Sequence, residues 1–389
     1  MLTVPEGYRD AMEAGNRIHV KMEFENGTTL TDEDIDNRVG ITITDAFNPD
    51  TDIHMGTASI RQLSTRIIIT NRTRYIHWDS NFALSFGVED GEGGVIWVYF
   101  GIFTGQRPKN STTLPAIDYI AYDQMTAFNA NADDWADTYT TSKSITTLLS
   151  EIATEVGIDI VATDGISGAL SRAYANRWMS DNYTYRALLQ NLAEVAGCYC
   201  RIGGADMDKC ELVWFNGTAN PRVVTRDEIF YEEHADLFSG LYWDDFDELT
   251  WTEAETMTWN EVSGFYKDVN IFDGVYVPKV DGGVIGRYPT NVKTGHIYQF
   301  KSNPVLKVTS SNKSSTITNI LTPMLDRLNQ FGGILPMKVE CVGDLVTQAG
   351  DVIKVVLPEA TVEMPIYYKT MKWNGFLMDT YETTAPDAL

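Results

Sequence analysis

The stretch TYRALLQNLAEVAGCYCRI, Thr184 to Ile202, decides how the chain is read. Tyr185, Leu188, Leu189, Leu192, Ala193 and Ala196 fall at i, i+3, i+4, i+7, i+8 and i+11, which lines them along one face of a helix. Thr184 stands where an N-cap hydroxyl accepts a backbone N–H, and Gly197 where a helix stops in left-handed backbone. The apolar run Cys198 to Ile202 follows at once and reads as a strand. Forty residues upstream, Ile145, Leu148, Leu149, Ile152, Ala153 and Val156 repeat the stripe, with Ser and Thr before it and Gly157 after it. Ile158 to Ala162 is the strand of that unit. Two helix–strand units in succession describe a small α/β domain.

Strands flank this domain on both sides. Arg17 to Phe24 alternates Ile18, Val20, Met22 and Phe24 inward with polar residues outward, and Asn26-Gly27 is a tight-turn signal before Thr28 to Leu30. Further strand candidates are Gly40 to Thr44, Arg66 to Thr70, Asn81 to Val88, Val95 to Phe103 and Ala116 to Tyr122, a spacing that suits a small barrel or sandwich. Beyond the helices, strands are expected in Leu212 to Phe215, Phe265 to Phe272, Gly274 to Val280 and Ile297 to Lys301. A third helix carries Met324, Leu325 and Leu328, with Thr322 as its cap, Pro323 in its first turn and Gly332-Gly333 as its end. Met337 to Thr380 returns to strands, with turns at Gly350-Asp351 and Asn374-Gly375.

The 389 residues predict two to four domains, and 43% apolar with 11% aromatic residues is the composition of a chain that folds throughout. Fifty-four acidic against 30 basic residues leave a formal charge of −24, which argues against stable nucleic-acid binding and against anionic lipid. Met1 to Asp10 lacks a basic start followed by an apolar stretch. No run reaches the ~18 apolar residues of a membrane span, so a soluble, non-secreted chain is expected. Asn26-Gly-Thr28 and Asn216-Gly-Thr218 then carry no meaning as glycosylation sites. Four cysteines, Cys198, Cys200, Cys210 and Cys341, are too few for a disulfide framework and are expected reduced. Cys198, Cys200, Cys210 and His234 lack the CxxC pair or finger spacing of a metal centre, and no metal is expected.

Catalytic patterns are missing as well. There is no HExxH, GxSxG, phosphate-binding loop or GxGxxG at a strand–helix junction, and His19, His54, His77, His234 and His296 stand apart in sequence. The expectation is a protein without catalytic residues or cofactor. One segment stands out: Trp243, Trp251 and Trp259 recur every eight residues, with Leu249-Thr250-Trp251 answered by Met257-Thr258-Trp259. Asp244, Asp245, Asp247, Glu253 and Glu255 fill the gaps. Three readings stay open: a solvated acidic loop whose tryptophans pack locally, a partner contact through Trp243, Trp251 and Trp259, and a carbohydrate site.

Several strings occur in a familiar order. Tyr185-Arg186 with Leu188-Leu189, Ala193 and Gly197, then Asn303-Pro304-Val305-Leu306, then Gly343-Asp344 with Gly350-Asp351-Val352-Ile353, and last Asn374-Gly375, run from about residue 116 to residue 380. In that order they resemble the central hub proteins of phage tails, including the N-terminal region of tail-associated lysins and prophage tail endopeptidases. The resemblance implies an α+β, mostly β fold of two barrel-like β domains, an inserted small α/β domain and an additional β-rich segment. The divisions expected are 1–112 for the first barrel-like domain, 113–212 for the insertion, 213–240 with 325–389 for the second barrel, and 241–324 for the segment bearing the Trp repeat.

It also implies a role, that of a structural hub of a tail tip or baseplate. Three subunits with two barrels each offer six similar surfaces to a six-fold tail tube. The partners implied are two further copies in a homotrimer, a tail tube or distal tail ring protein, tail-tip or fibre proteins, and the tape-measure protein. The location implied is the virion tail, assembled in the bacterial cytoplasm. Leu389 follows the hub-like part directly, so no C-terminal peptidase, lysozyme-like or fibre region is expected. The acidic excess would then line a channel through which DNA slides without ion pairing. The alternative function is a carbohydrate-binding or glycan-hydrolysing β-protein of the tail.

Overall fold

The architecture comes from a computed structural model that describes residues 2, 4–47, 54–73, 76–108, 116–137, 143–162, 183–215, 221–234, 271–279, 282–300, 303–330, 336–358 and 361–383. The chain begins with a short helix, α1 (Tyr8–Glu13), then strands β1 (Ile18–Phe24), β2 (Thr29–Thr31), β3 (Ile41–Ala46), β4 (Gln62–Ile68), β5 (Asn81–Glu89), β6 (Val95–Gly105) and β7 (Ala116–Asp123). The insertion follows as α2 (Asp133–Asp137), α3 (Ile145–Val156), β8 (Ile160–Ala162), α4 (Tyr185–Ala196), β9 (Tyr199–Gly203) and β10 (Lys209–Val213). Next come β11 (Val223–Val224), β12 (Ile229–His234), β13 (Gly274–Val277), β14 (Gly286–Tyr288) and β15 (Ile297–Gln299). Helix α5 spans residues 313–328, and β16 (Met337–Val342), β17 (Val352–Val356), β18 (Thr361–Pro365), β19 (Tyr368–Trp373) and β20 (Leu377–Glu382) complete the described chain.

The residue pattern explains most of these elements. β1 buries Ile18, Val20, Met22 and Phe24 and pairs with β2 across the Asn26-Gly27 turn, Met22 opposite Leu30. Ser144 and Thr184 cap α3 and α4, their hydroxyls accepting the N–H of Thr147 and Ala187 at 3.1 Å. Gly157 and Gly197 end the two helices at φ 76° and 67°, a region where a side chain is strained. α1 lies in a region whose sequence reads only as strands and turns, because six residues are too few to show a helical period.

Four expectations need correction or bounding. Thr322 does not cap a new helix. α5 is already helical over Lys313–Thr316, widens into a π turn over Ile317–Leu321 and resumes over Thr322–Leu328. Pro323 has no N–H and its ring crowds the preceding turn, and the wider turn gives it room. The two strand-rich regions are joined in one sheet of eleven strands, in the order β12-β16-β20-β19-β3-β4-β7-β6-β5-β1-β2. The splice is β19 against β3, with Trp373 opposite Ile41. Among the described strands nothing pairs β2 with β12, so barrel closure is not seen, whereas the mostly β character holds. The strand expected over Phe265 to Phe272 and the Gly332-Gly333 stop lie wholly or largely outside the described residues.

Three smaller sheets accompany the large one: β8-β10-β9, β11-β17-β18 and β14-β13-β15. Two apolar cores result. One fills the concavity of β1, β4, β5, β6 and β7 with Val20, Met22, Leu84, Phe86, Phe103 and Trp373. The other gathers α3, α4, α5 and the small sheets around Leu188, Tyr199, Phe215 and Met324.

Candidate partner-contact surface

β6 decides which aromatic side chains face outward. Val95, Trp97 and Tyr99 remain 37%, 39% and 37% exposed, while Val98 and Phe100 enter the core. Ser85 pairs with Tyr99 and Leu84 with Gly101, so Phe100 is the extra residue of a β-bulge. Gly101 takes φ 120°, and the alternation inverts beyond it, with Phe103 inward and Ile102 and Thr104 outward. Trp97 lies against its cross-strand neighbour Gly87, where an added Cβ would sit 2.9 Å from the indole. Lys21 Nζ stands 5.0 Å from the centre of that ring. The outward face thus carries a fixed aromatic strip, and such strips mark contact surfaces. Phe230 and Tyr231, 62% and 46% exposed, place further apolar side chains at the surface on the far edge strand β12.

His19 lies in the same cross-strand row as Gly87 and Trp97. Its Nδ1 is 2.6 Å from Asp32 Oδ2 and its Nε2 3.0 Å from Glu89 Oε1. Partial burial disfavours the imidazolium, but the two carboxylate bonds outweigh it and raise the pKa above 6.5. With a carboxylate on each ring nitrogen, the arrangement holds a charge in place.

The Gly343-Asp344 and Gly350-Asp351 pairs, read from sequence as turns, form an ionic junction between the two cores. Asp344 accepts the Val346 and Thr347 N–H at 3.1 and 3.2 Å and the Thr347 hydroxyl at 2.8 Å. Lys369 Nζ donates to the Asp344 and Thr347 carbonyls at 2.7 and 2.6 Å and pairs with the fully buried Asp379 at 3.1 Å. Arg222 stands 3.7 Å from Asp379 and donates to Tyr381 Oη at 2.8 Å. Asp351 accepts from Arg201, whose Nε reaches Glu211 at 3.1 Å. The junction therefore ties the insertion, through Arg201, to the closing strands. The matching joint on the other side is Arg61–Asp123 at 3.2 Å, with Arg61 also donating to the Ile202 carbonyl at 2.7 Å.

The sequence candidates fare unevenly. Trp243, Trp251 and Trp259 lie outside the described residues, as does the His234 side chain. Cys198, Cys200 and Cys210 are buried together near β9 and β10. Burial pushes the Cys198 thiol up to about 12 and that of Cys200 well above its ordinary value, which keeps both protonated and poor as metal ligands. Among the described residues no three His, Cys, Asp or Glu side chains converge as a metal site, and no helix is long and apolar enough to cross a membrane.

No family model matches the chain, and no curated protein matches it in sequence. Solved structures do match in shape. The 43 kDa tail protein of prophage MuSo2 from Shewanella oneidensis superposes with a TM-score of 0.55 at 10% identity, over 96% of this chain and 99% of that one. This chain has a prophage tail-protein fold. The tail protein from Neisseria meningitidis MC58 matches at 0.51 and 10% identity over 95% and 99% of the two chains. Prophage tail protein gp18 from Listeria monocytogenes EGD-e matches at 0.50 and 10% identity over 95% of each. At 10% identity the likeness speaks for the fold, which retains its order of elements across nearly the whole length.

Proposed function

We propose that the chain is a structural hub of a phage-type tail tip or baseplate, a trimeric adaptor that closes or extends the six-fold tail tube and lets DNA pass. The observation that carries this reading is the end-to-end likeness in fold to prophage tail proteins, spanning at least 95% of the chain in each comparison. The strand-rich regions 1–112 and 213–240 with 325–389 act as two related units per subunit, so three copies present six similar surfaces. A ring of this kind terminates identical head-to-tail contacts by closing on itself. The outward strip of Val95, Trp97 and Tyr99 and the Trp243, Trp251 and Trp259 segment serve as contacts with neighbouring tail proteins, among them a tube or distal ring protein, fibre proteins and the tape-measure protein.

The role involves no turnover. Part of the −24 charge lines the axial surface, where carboxylates repel passing phosphates and leave no ion pairs to hold them. Light scattering of the pure chain and an image of the assembled particle with this subunit labelled test the proposal together. A three-fold ring on the tube axis is expected. A monomer at high concentration combined with the subunit lying off the axis overturns the hub, and a neutral or basic axial surface overturns the channel lining. Cleavage of peptidoglycan or peptide that a single carboxylate or cysteine substitution abolishes would overturn the non-enzymatic reading.

A further inference from the structure

Between the outward face of the large sheet and the insertion lies a cleft of about 590 Å³. Glu23 and Glu25, Tyr99 and Ile102 form one side, and Thr126 and Val156 are on the other. Three polar side chains of the lining already commit hydrogens within the protein: both threonine hydroxyls, and one of the two amide hydrogens of Asn81. The Asn81 amide donates to Glu25 at 2.8 Å, the Thr104 hydroxyl to Asn81 at 2.7 Å, and the Thr126 hydroxyl to the Asp123 carbonyl at 2.8 Å. The threonine oxygens, the two carboxylates and the buried, unpartnered Oε1 of Gln124 offer a visitor acceptors. The lining holds two carboxylates and no cation, and Lys21, outside the lining, pairs with Glu23 at 3.0 Å. Burial together with Asp208 and Asp206 raises the Tyr99 hydroxyl above its usual value, so the negative surroundings continue past the lining.

We infer that this cleft docks a Lys- or Arg-bearing segment of another tail protein. A long basic side chain suits the shape as well as the charge. Its methylene stem lies along Ile102 and Val156, and its cationic head meets Glu25 and Glu23. A volume of this size holds several residues rather than one side chain. A second copy of this chain is disfavoured as the occupant by its own charge of −24. The inference rests on the tail-protein reading only for the origin of the segment. It does not depend on a trimer.

The test uses the full chain titrated with a fluorescein-labelled alternating Arg–Leu hexapeptide, with the Glu–Leu counterpart as control, by fluorescence anisotropy at low and physiological salt. The Glu23→Gln/Glu25→Gln pair is expected to weaken binding by about tenfold, and Ile102→Asp by a similar factor. The pair Glu6→Gln/Glu13→Gln, exposed on and beside α1, removes the same charge elsewhere and is expected to change binding by less than about twofold. Circular dichroism shows that the variants fold. Equal weakening by both pairs would mean diffuse attraction to an acidic surface and would overturn the inference. So would absence of peptide binding, or self-association that Ile102→Asp abolishes. The peptide outcomes leave the hub ring untouched; only self-association through the cleft would bear on it.

Discussion

Asp123 and Asp344 stand at the two joints between the cores, and their carboxyls titrate in opposite directions. Burial dominates at Asp123: Arg61 and the Met125 N–H oppose it, Asp45 adds to it, and the pKa rises to about 6. At Asp344 burial acts the same way, but Arg222 and Lys369, the Thr347 hydroxyl and the Val346 N–H outweigh it and hold the carboxyl below its ordinary value. The difference lies in the partners. One guanidinium with a single contact does not replace the water that a carboxylate loses, whereas two cations and several fixed donors do. The first joint thus favours the protonated carboxyl, and the second the charged one.

Breaking the second joint is expected to cost most. Lys369→Met leaves Asp379 at 0% exposure with Arg222 3.7 Å away as its remaining cation, and urea unfolding at pH 7 should show a loss of about 3–5 kcal/mol. A loss below about 1 kcal/mol would show that Lys369 does not hold this cluster together. Asp123→Asn sharpens the contrast. Because its folded pKa lies above the unfolded value, Asp123 stabilises the fold in its protonated form, and that contribution is full below about pH 4 and lost as pH rises to about 6. Melting curves of the parent should lose roughly 3 kcal/mol across that window relative to the Asn variant. Parallel pH profiles would reject the raised value.

Asp344→Asn is expected to cost about 1–2 kcal/mol at pH 7, since a neutral amide accepts the turn hydrogens less well. Its sign is opposite to that of Asp123. A depressed carboxyl stabilises above its ordinary value and loses this as pH falls through the folded value, so the parent should converge on the variant in acid. His19→Asn should act least. The raised imidazole stabilises fully below about pH 6.5 and loses the contribution as pH climbs through its folded value, so parent and variant should differ more in melting temperature at pH 6 than at pH 9.

Local rules carried far in this chain. The stripes of α3 and α4, their Ser144 and Thr184 caps, their Gly157 and Gly197 stops and the Asn26-Gly27 hairpin all follow from residues within about a dozen positions of one another. Contact surfaces were less legible. Val95 to Phe103 reads as one strand, and nothing in VIWVYFGIF states that Trp97 and Tyr99 face outward while Phe100 and Phe103 face in. That assignment depends on the bulge opposite Leu84 and Ser85. The partner contact read from Trp243, Trp251 and Trp259 falls outside the described residues, so the exposed aromatic strip of β6 is a surface that the sequence pattern passed over.

By itself the sequence determined what short range controls: helices from apolar period and caps, hairpins from turn residues, a mostly β composition and a strongly acidic surface. Tertiary structure alone decided that β19 pairs with β3 and merges two strand-rich regions into one sheet, because edge pairing joins backbone groups more than 300 residues apart without regard to side-chain spelling. It also decided that Asp344 and Asp351 are junction residues as well as turn residues. A carboxylate beside a glycine specifies a turn wherever it occurs, but whether it also bonds Arg201, as Asp351 does, or lies in the field of Arg222 and Lys369, as Asp344 does, depends on where the chain folds back, and Coulomb energies in a buried site depend on that distance.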